Sequence, residues 1–166
     1  VEQANLHSFV MSGGALVAFT DNGAFHLTNQ SMVGPFGLQS DPDTTVREII
    51  PATVPNPDSH PVTNGPFGRV SRFTMGFAGQ FTGIGTADLL ATLPTGQAAL
   101  AVIDRDVLGP GSGPVIMFSD TSPFSGIERF GNVPVVLNAL VHAVGEPLSP
   151  VLAYSQFDEP ALNADS

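Results

Sequence analysis

The chain contains no cysteine, no lysine and no tryptophan, and the first two absences each close a route to function. Without cysteine there is no disulfide framework and no thiolate to act as nucleophile or metal ligand. Without lysine, a Schiff-base mechanism and a Walker-type phosphate loop are both excluded. Positive charge rests on five arginines against fifteen acidic residues, for a net charge of −10. A nucleic-acid ligand demands a basic footprint, so that class of partner is excluded. Only 12% of residues are charged, where ~25% is usual. Long apolar runs are missing as well. The longest aliphatic stretch, Ala98–Ile103, is far below the ~20 residues that span a bilayer as a helix.

What is present describes a globular chain. It has 166 residues, 42% of them hydrophobic, which suits one domain with a substantial core. Its sparse charge and abundant Gly, Pro, Ser, Thr and Asn are the composition of exported or assembly-forming proteins, so an extracellular or cell-surface location is expected. Residues 1–150 read as the domain and 151–166 as an acidic, proline-containing tail or linker.

Helical spacing is expected over Glu2–Met11, with Leu6, Phe9 and Val10 on one face and Gly13 closing the end. Ala15–Phe19, bounded by Gly13-Gly14 and Asp21-Asn22-Gly23, reads as a strand buried on both faces, as in a parallel sheet. A helix over Ala24–Val33 stops at Gly34-Pro35. Repeated prolines from Pro42 to Pro66 exclude a long regular element there, leaving one short strand near Val46–Ile50. Further strands are expected at Arg69–Phe73, Ala87–Leu93, Ala98–Asp104 and Val115–Ser119. The loop Gly109–Pro114 is short enough to require that the last two be antiparallel neighbours. A helix over 132–144 has Asn132 as N-cap, Pro134 in its first turn, Gly145 at its end, and Val136, Leu140 and Val144 facing the sheet. In the Gly-rich stretch Gly65–Gly85, Phe67, Phe73, Phe77 and Phe81 either cap the core or line an apolar interface.

Two segments echo one another. Gly14-Ala-Leu-Val-Ala-Phe-Thr-Asp21 and Gly113-Pro-Val-Ile-Met-Phe-Ser-Asp120 each run from a glycine through an apolar strand to an aspartate. With His60-Pro-Val-Thr-Asn-Gly65, Asp88-Leu-Leu-Ala-Thr92 and Leu137-Asn138, their order resembles the class I glutamine amidotransferase-like superfamily. The closer likeness is to its non-amidotransferase branch of unknown-function and trehalose-utilisation-type proteins. That resemblance implies a flavodoxin-like three-layer α/β sandwich with a mostly parallel sheet. It also implies first strands that precede this chain, so that another protein chain or the domain's own missing N-terminal segment would be a partner. The family's catalytic cysteine and histidine have no counterpart at Phe19–Gly23 or Phe118–Asp120, so glutamine hydrolysis by that mechanism is excluded.

Ligands of open α/β sheets bind outside the carboxyl ends of strands. Asp21 and Asp120, with Asn22 and Thr121 beside them, are therefore the candidate ligand-binding residues. The two carboxylates are also the candidate ligands for a hard cation, calcium or magnesium; no other cofactor is expected. The competing account is that each aspartate closes an Asx turn or caps the next helix. Asp104-Arg105-Asp106 and Asp41-Pro-Asp43 lack EF-hand spacing. The glycines at 109, 111 and 113 lack a following helix, and Pro110 removes the elbow of a serine hydrolase. His7, His26, His60 and His142 show no zinc spacing, and His60 before Pro61 suits a turn. The sequon Asn29-Gln30-Ser31 matters only in a glycosylating pathway. Three functions remain: a non-catalytic binding or interaction module of a larger or exported protein, a metal-assisted enzyme using Asp21 and Asp120 on a carbohydrate-like or small polar substrate, and a structural subunit of an extracellular assembly.

Overall fold

A computed structural model describes residues 2–42, 48–125 and 131–145. The expected tail at 151–166, together with Val46 and Arg47 of the expected strand, lies outside them. Along the chain run α1 (Glu2–Met11), β1 (Leu16–Phe19), a 3-10 turn (Gly23–Phe25), α2 (His26–Val33), a 3-10 turn (Gly34–Phe36) and β2 (Gln39–Ser40). Then come β3 (Ile49–Thr53), a 3-10 turn (Pro57–Ser59), β4 (Asn64–Gly65), β5 (Gly68–Arg69), β6 (Arg72–Gly76) and β7 (Phe81–Gly83). The last part holds β8 (Asp88–Thr92), β9 (Ala98–Ile103), β10 (Val115–Phe118), α3 (Ser122–Ser125) and α4 (Asn132–Val144).

The main sheet has the order β1-β10-β9-β8-β3-β6, and β7 leaves β9 to pair with β2. Among the described strands only β1 and β10 run parallel, in register Leu16↔Val115 through Phe19↔Phe118. The other pairings are antiparallel, including β10 with β9 across the short 109–114 loop. The expectation of a flavodoxin-like, mostly parallel sheet is therefore corrected: the sheet is mixed and mostly antiparallel. The cause lies in what an apolar run encodes. All six residues of β9 and all four of β10 are buried, because helices cover the sheet on both sides. Burial on two faces gives a continuous hydrophobic strand whichever direction its neighbours run.

Alternation along β10 sorts the core. Ile116 and Phe118 join Val135, Val136, Ala139 and Ala143 of α4 on one side. Val115 and Met117 join Val10 of α1, Val33 of α2, Phe36 and Leu38 on the other. Each fully buried valine contributes about 1.5–3 kcal/mol of transfer free energy. The buried stripe of α4 is rotated from the expected one: Val136 is buried, but Leu140 and Val144 are 40% and 64% exposed. Gly145 ends the helix in the left-handed region at φ 74, while the residue before the helix is Gly131, not a side-chain cap. Asn132 instead accepts the Thr74 amide at 2.8 Å, tying the helix start to β6. On α1, Val10 is buried as expected but Phe9 is 52% exposed.

Pro51 sits inside β3, opposite Thr74 of β6. It is tolerated because β3 meets β8 only through Thr53↔Thr92, so a missing amide on that side breaks no ladder. Of the phenylalanines expected to cap the core or line an apolar interface, Phe73 and Phe81 are buried in the core, Phe67 is half-buried and Phe77 is exposed.

Candidate functional site

The parallel pairing places the carboxyl ends of β1 and β10 side by side, and there the chain is bound mostly to itself. Asp21 Oδ1 accepts from the Asn22 amide at 2.7 Å and from the Asn22 side chain at 3.2 Å. Asn22 Oδ1 accepts the Ala24 amide at 3.0 Å and caps the 3-10 turn. Asn29, buried on α2, donates Nδ2 to the carbonyls of Asp21 and Asn22 and accepts the Asp21 amide. Its amide group is thus enclosed, and the sequon presents no free acceptor for a glycan. Thr121 is exposed, and its carbonyl accepts the Phe124 and Ser125 amides that begin α3.

Asp120 is 1% exposed, and its Oδ2 accepts the Gly76 amide at 2.7 Å. Its Oδ1 is buried with no partner in hydrogen-bonding geometry. Burial raises its carboxyl above the ordinary range, the Gly76 amide and the amide and hydroxyl of Ser122 oppose the rise, and the charge of Asp21 adds to it. The strap 77–80 crosses the two strand ends: a β-carbon on Gly79 would collide with the Asp21 carbonyl and lie 3.0 Å from that of Ser119. Gln80 fastens the far end, accepting the Asp41 amide at 3.1 Å and donating to the Asp41 carboxylate at 2.6 Å.

Asp120 lends itself to a directed test. A carboxyl whose folded pKa is raised weakens the fold as pH rises through that range, because the folded state holds its proton longer. Asp120→Asn is therefore expected to be neutral or stabilising by up to about 1 kcal/mol at pH 7, with the gain fading as pH falls through the raised range and gone by about pH 4. Asp120→Ala, which strands the buried Gly76 amide, is expected to cost about 1–3 kcal/mol. Urea denaturation of both variants at pH 7 and pH 4 reads the difference.

A second cluster was not expected from sequence spacing. Asp104, just past β9, accepts on Oδ1 from His60 Nε2 at 3.2 Å and pairs with His142 Nε2 at 2.8 Å. His60 follows the Pro57–Ser59 turn and His142 lies in the last turn of α4; the two rings meet edge-on at 4.8 Å. In sequence they are 44 and 38 residues from Asp104, which is why no local motif announced them. The donor atoms lie within 4.8 Å of one another, and two imidazoles with a carboxylate are a familiar metal set. The ring of His60 is turned against that use. The Val62 amide donates into His60 Nδ1 at 3.1 Å, so the ring proton sits on Nε2 and points at Asp104. A metal-bound imidazole needs the reverse, a lone pair on Nε2 and a proton on Nδ1.

The cluster instead clamps α4 to the His60 turn and the end of β9. Burial lowers the pKa of His60 despite Asp104. Burial pushes the Asp104 carboxyl up, but the hydrogen bonds and charges of His60 and then His142 outweigh it and hold it low. Near neutral pH the uncharged His60 still donates, so on that side a hydrogen bond holds the carboxylate, and the charge of His60 adds to it only once the ring is protonated at lower pH. Both shifts give the same sign: the unfolded chain binds the extra protons, so stability falls as pH drops below about 6.5 and again as Asp104 titrates. For His60 the slope is at most about 1.4 kcal/mol per pH unit. Denaturation midpoints at pH 7.5 and pH 5 should show the loss in the wild type and a flatter profile in His60→Gln.

The fold so built is a mixed, mostly antiparallel sheet between α1–α2 and α4, with one parallel pair carrying the loops at its carboxyl ends. It is similar to the solved structure described as mmIFT52 N-terminal domain, with a TM-score of 0.63 at 13% identity over 89% of this chain and 72% of that one. At this identity the likeness is one of fold. No protein-family model and no curated protein sequence matches the chain. The amidotransferase-like resemblance of the short motifs is overturned by the mostly antiparallel sheet and by this neighbour. The expectation of missing first strands rested on that resemblance. Among the described residues no helix is long and apolar enough to cross a membrane.

Proposed function

We propose that the protein is a non-catalytic protein-interaction module that docks through the loops at the carboxyl ends of β1 and β10. The observation that carries this is three exposed phenylalanines at those strand ends: Phe25 in the turn after β1, Phe77 on the strap after β6 that crosses them, and Phe124 in α3 after β10 are 52%, 54% and 59% exposed. Each stands on an anchored segment. Phe25 follows the capped turn at Asn22, Phe124 leans on Phe19 at 5.7 Å, and Phe77 begins the strap held by Asp120 and Gln80. Phe77 has φ 59, a left-handed conformation that is costly for a bulky residue and found where function holds the backbone. Single exposed apolar residues are ordinary; several large aromatics on rigid loops around one rim suggest a binding face. Ile49, 59% exposed, pairs with Gly76, the neighbour of Phe77, and lines a groove of about 300 Å³ along β3 and β6.

The metal-assisted alternative has less support, since Asp21 is turned to Asn22 and Asp120 lies under the strap. A peptide-display selection against the wild-type protein, counter-screened on the triple variant Phe25→Ser, Phe77→Asn, Phe124→Ser, tests the proposal. Recovered peptides should bind the wild type at least about tenfold more tightly, a difference of ~1.4 kcal/mol. Recovery of none, or of peptides that bind both proteins alike, would refute it.

A further inference from the structure

We infer that the aromatic rim accepts a positively charged segment with apolar anchors from another protein, and not a second copy of this chain. The inference rests on the docking role proposed above and adds the chemistry of the partner. Its basis is the charge around the three rings. Asp21 lies beneath the strap that carries Phe77, and exposed Glu48 is joined to Phe77 by a hydrogen bond from the Phe77 amide to the Glu48 carbonyl, at 3.3 Å. The described residues at 20–25, 48–49, 76–80 and 119–125 include no arginine, Arg72 standing further off in the groove along β3 and β6, and the chain has no lysine at all. Two copies meeting through this face would bring acid against acid on molecules that each carry −10. A segment with Lys or Arg beside leucine-like anchors fills the hydrophobic rim and neutralises its edge, which raises the association rate and selects against acidic competitors.

The experiment uses three fluorescent twelve-residue peptides, alternating Leu-Arg, Leu-Glu and Gly-Arg, titrated by anisotropy into the full chain and its variants. The Leu-Arg peptide should bind; Phe77→Asn should weaken it at least about tenfold, and Asp21→Asn with Glu48→Gln about threefold in 50 mM salt, less in 500 mM. Equal binding of Leu-Glu that still depends on Phe77 would overturn the charge assignment while leaving the docking role standing. Equal binding of Gly-Arg would reduce the interaction to unspecific attraction and overturn it. Leu-Arg binding that ignores Phe77, or its absence, removes the rim as the site. Sedimentation that reveals a dimer abolished by Phe77→Asn would identify a second copy as the occupant and overturn the inference.

Discussion

Replacing Phe118 by alanine is expected to cost about 3–5 kcal/mol of folding stability. The ring is fully buried in β10, between β1 and β9. It stacks on Phe19 at 4.9 Å with planes 8° apart and meets Phe73 edge-on at 5.9 Å and 79°. Three rings from three strands are thus joined beneath α4, and both ladders beside β10 prevent its backbone from closing a cavity. The residual void adds to the lost transfer energy, placing the change in the upper part of the range for a large-to-small substitution. A urea titration should give a lower midpoint with an unchanged slope. Phe118→Leu, which keeps most of the volume, should cost about 1.5 kcal/mol or less. A loss below about 1.5 kcal/mol for the alanine variant would mean that the stack is not the centre of this core. Phe19 also supports Phe124, so a loosened stack would weaken the proposed docking rim.

Much of the local structure was legible from residue order, because it depends on neighbours in sequence. Gly13 and Gly145 end helices in the left-handed region at φ 97 and 74, as glycine after an apolar stripe implies. The 109–114 loop was too short for anything but an antiparallel return, and β9 and β10 are paired that way. Strand direction elsewhere was not legible. The buried runs of β9 and β10 report two covered faces, and a mostly antiparallel sheet covered by helices on both sides meets that condition as well as a parallel one. The phase of α4 was missed for a related reason. Nine apolar residues from Val133 to Val144, Pro134 aside, nearly encircle the helix, and the choice of the Val135–Ala139 side is made by the neighbours it meets, with Asn132 and Asn138 pinned to β6 and to the β4–β5 turn.

At the candidate site, the sequence located the loops but not their chemistry. Asp21 and Asp120 do stand at adjacent strand ends, yet what decides their state is the strap 77–80, which no motif marked. Asn22 and Asn29, short polar side chains beside a turn, take up the local amides and carbonyls in the way such residues commonly do. The His60–Asp104–His142 cluster assembles three separate segments, so only the folded chain displays it.

The strap makes the last prediction a matter of one methyl group. Gly79→Ala is expected to destabilise the fold by about 2–3 kcal/mol, in the range found for overpacking a tight contact. The added carbon would collide with the Asp21 carbonyl and lie 3.0 Å from the Ser119 carbonyl and 3.1 Å from the Asp21 carbonyl carbon. These are backbone atoms at the ends of β1 and β10, locked by Asn29 on one side and the β9 ladder on the other, so the strap must give way. As it lifts, the Gly76 amide is drawn from Asp120 and the left-handed turn at Phe77 loses its anchor. Two measurements should therefore change together: the denaturation midpoint falls, and amide exchange at Gly76 and Phe77 accelerates beyond the global loss. Gly96→Ala is the control, since nothing lies within 4 Å of a β-carbon there. At φ 90 it should incur only the backbone cost of roughly 1–2 kcal/mol, and leave Gly76 and Phe77 exchange unchanged relative to the rest of the chain. If Gly79→Ala lowers stability without opening those two amides, the strap is not held by this contact and the rim owes its shape to something else.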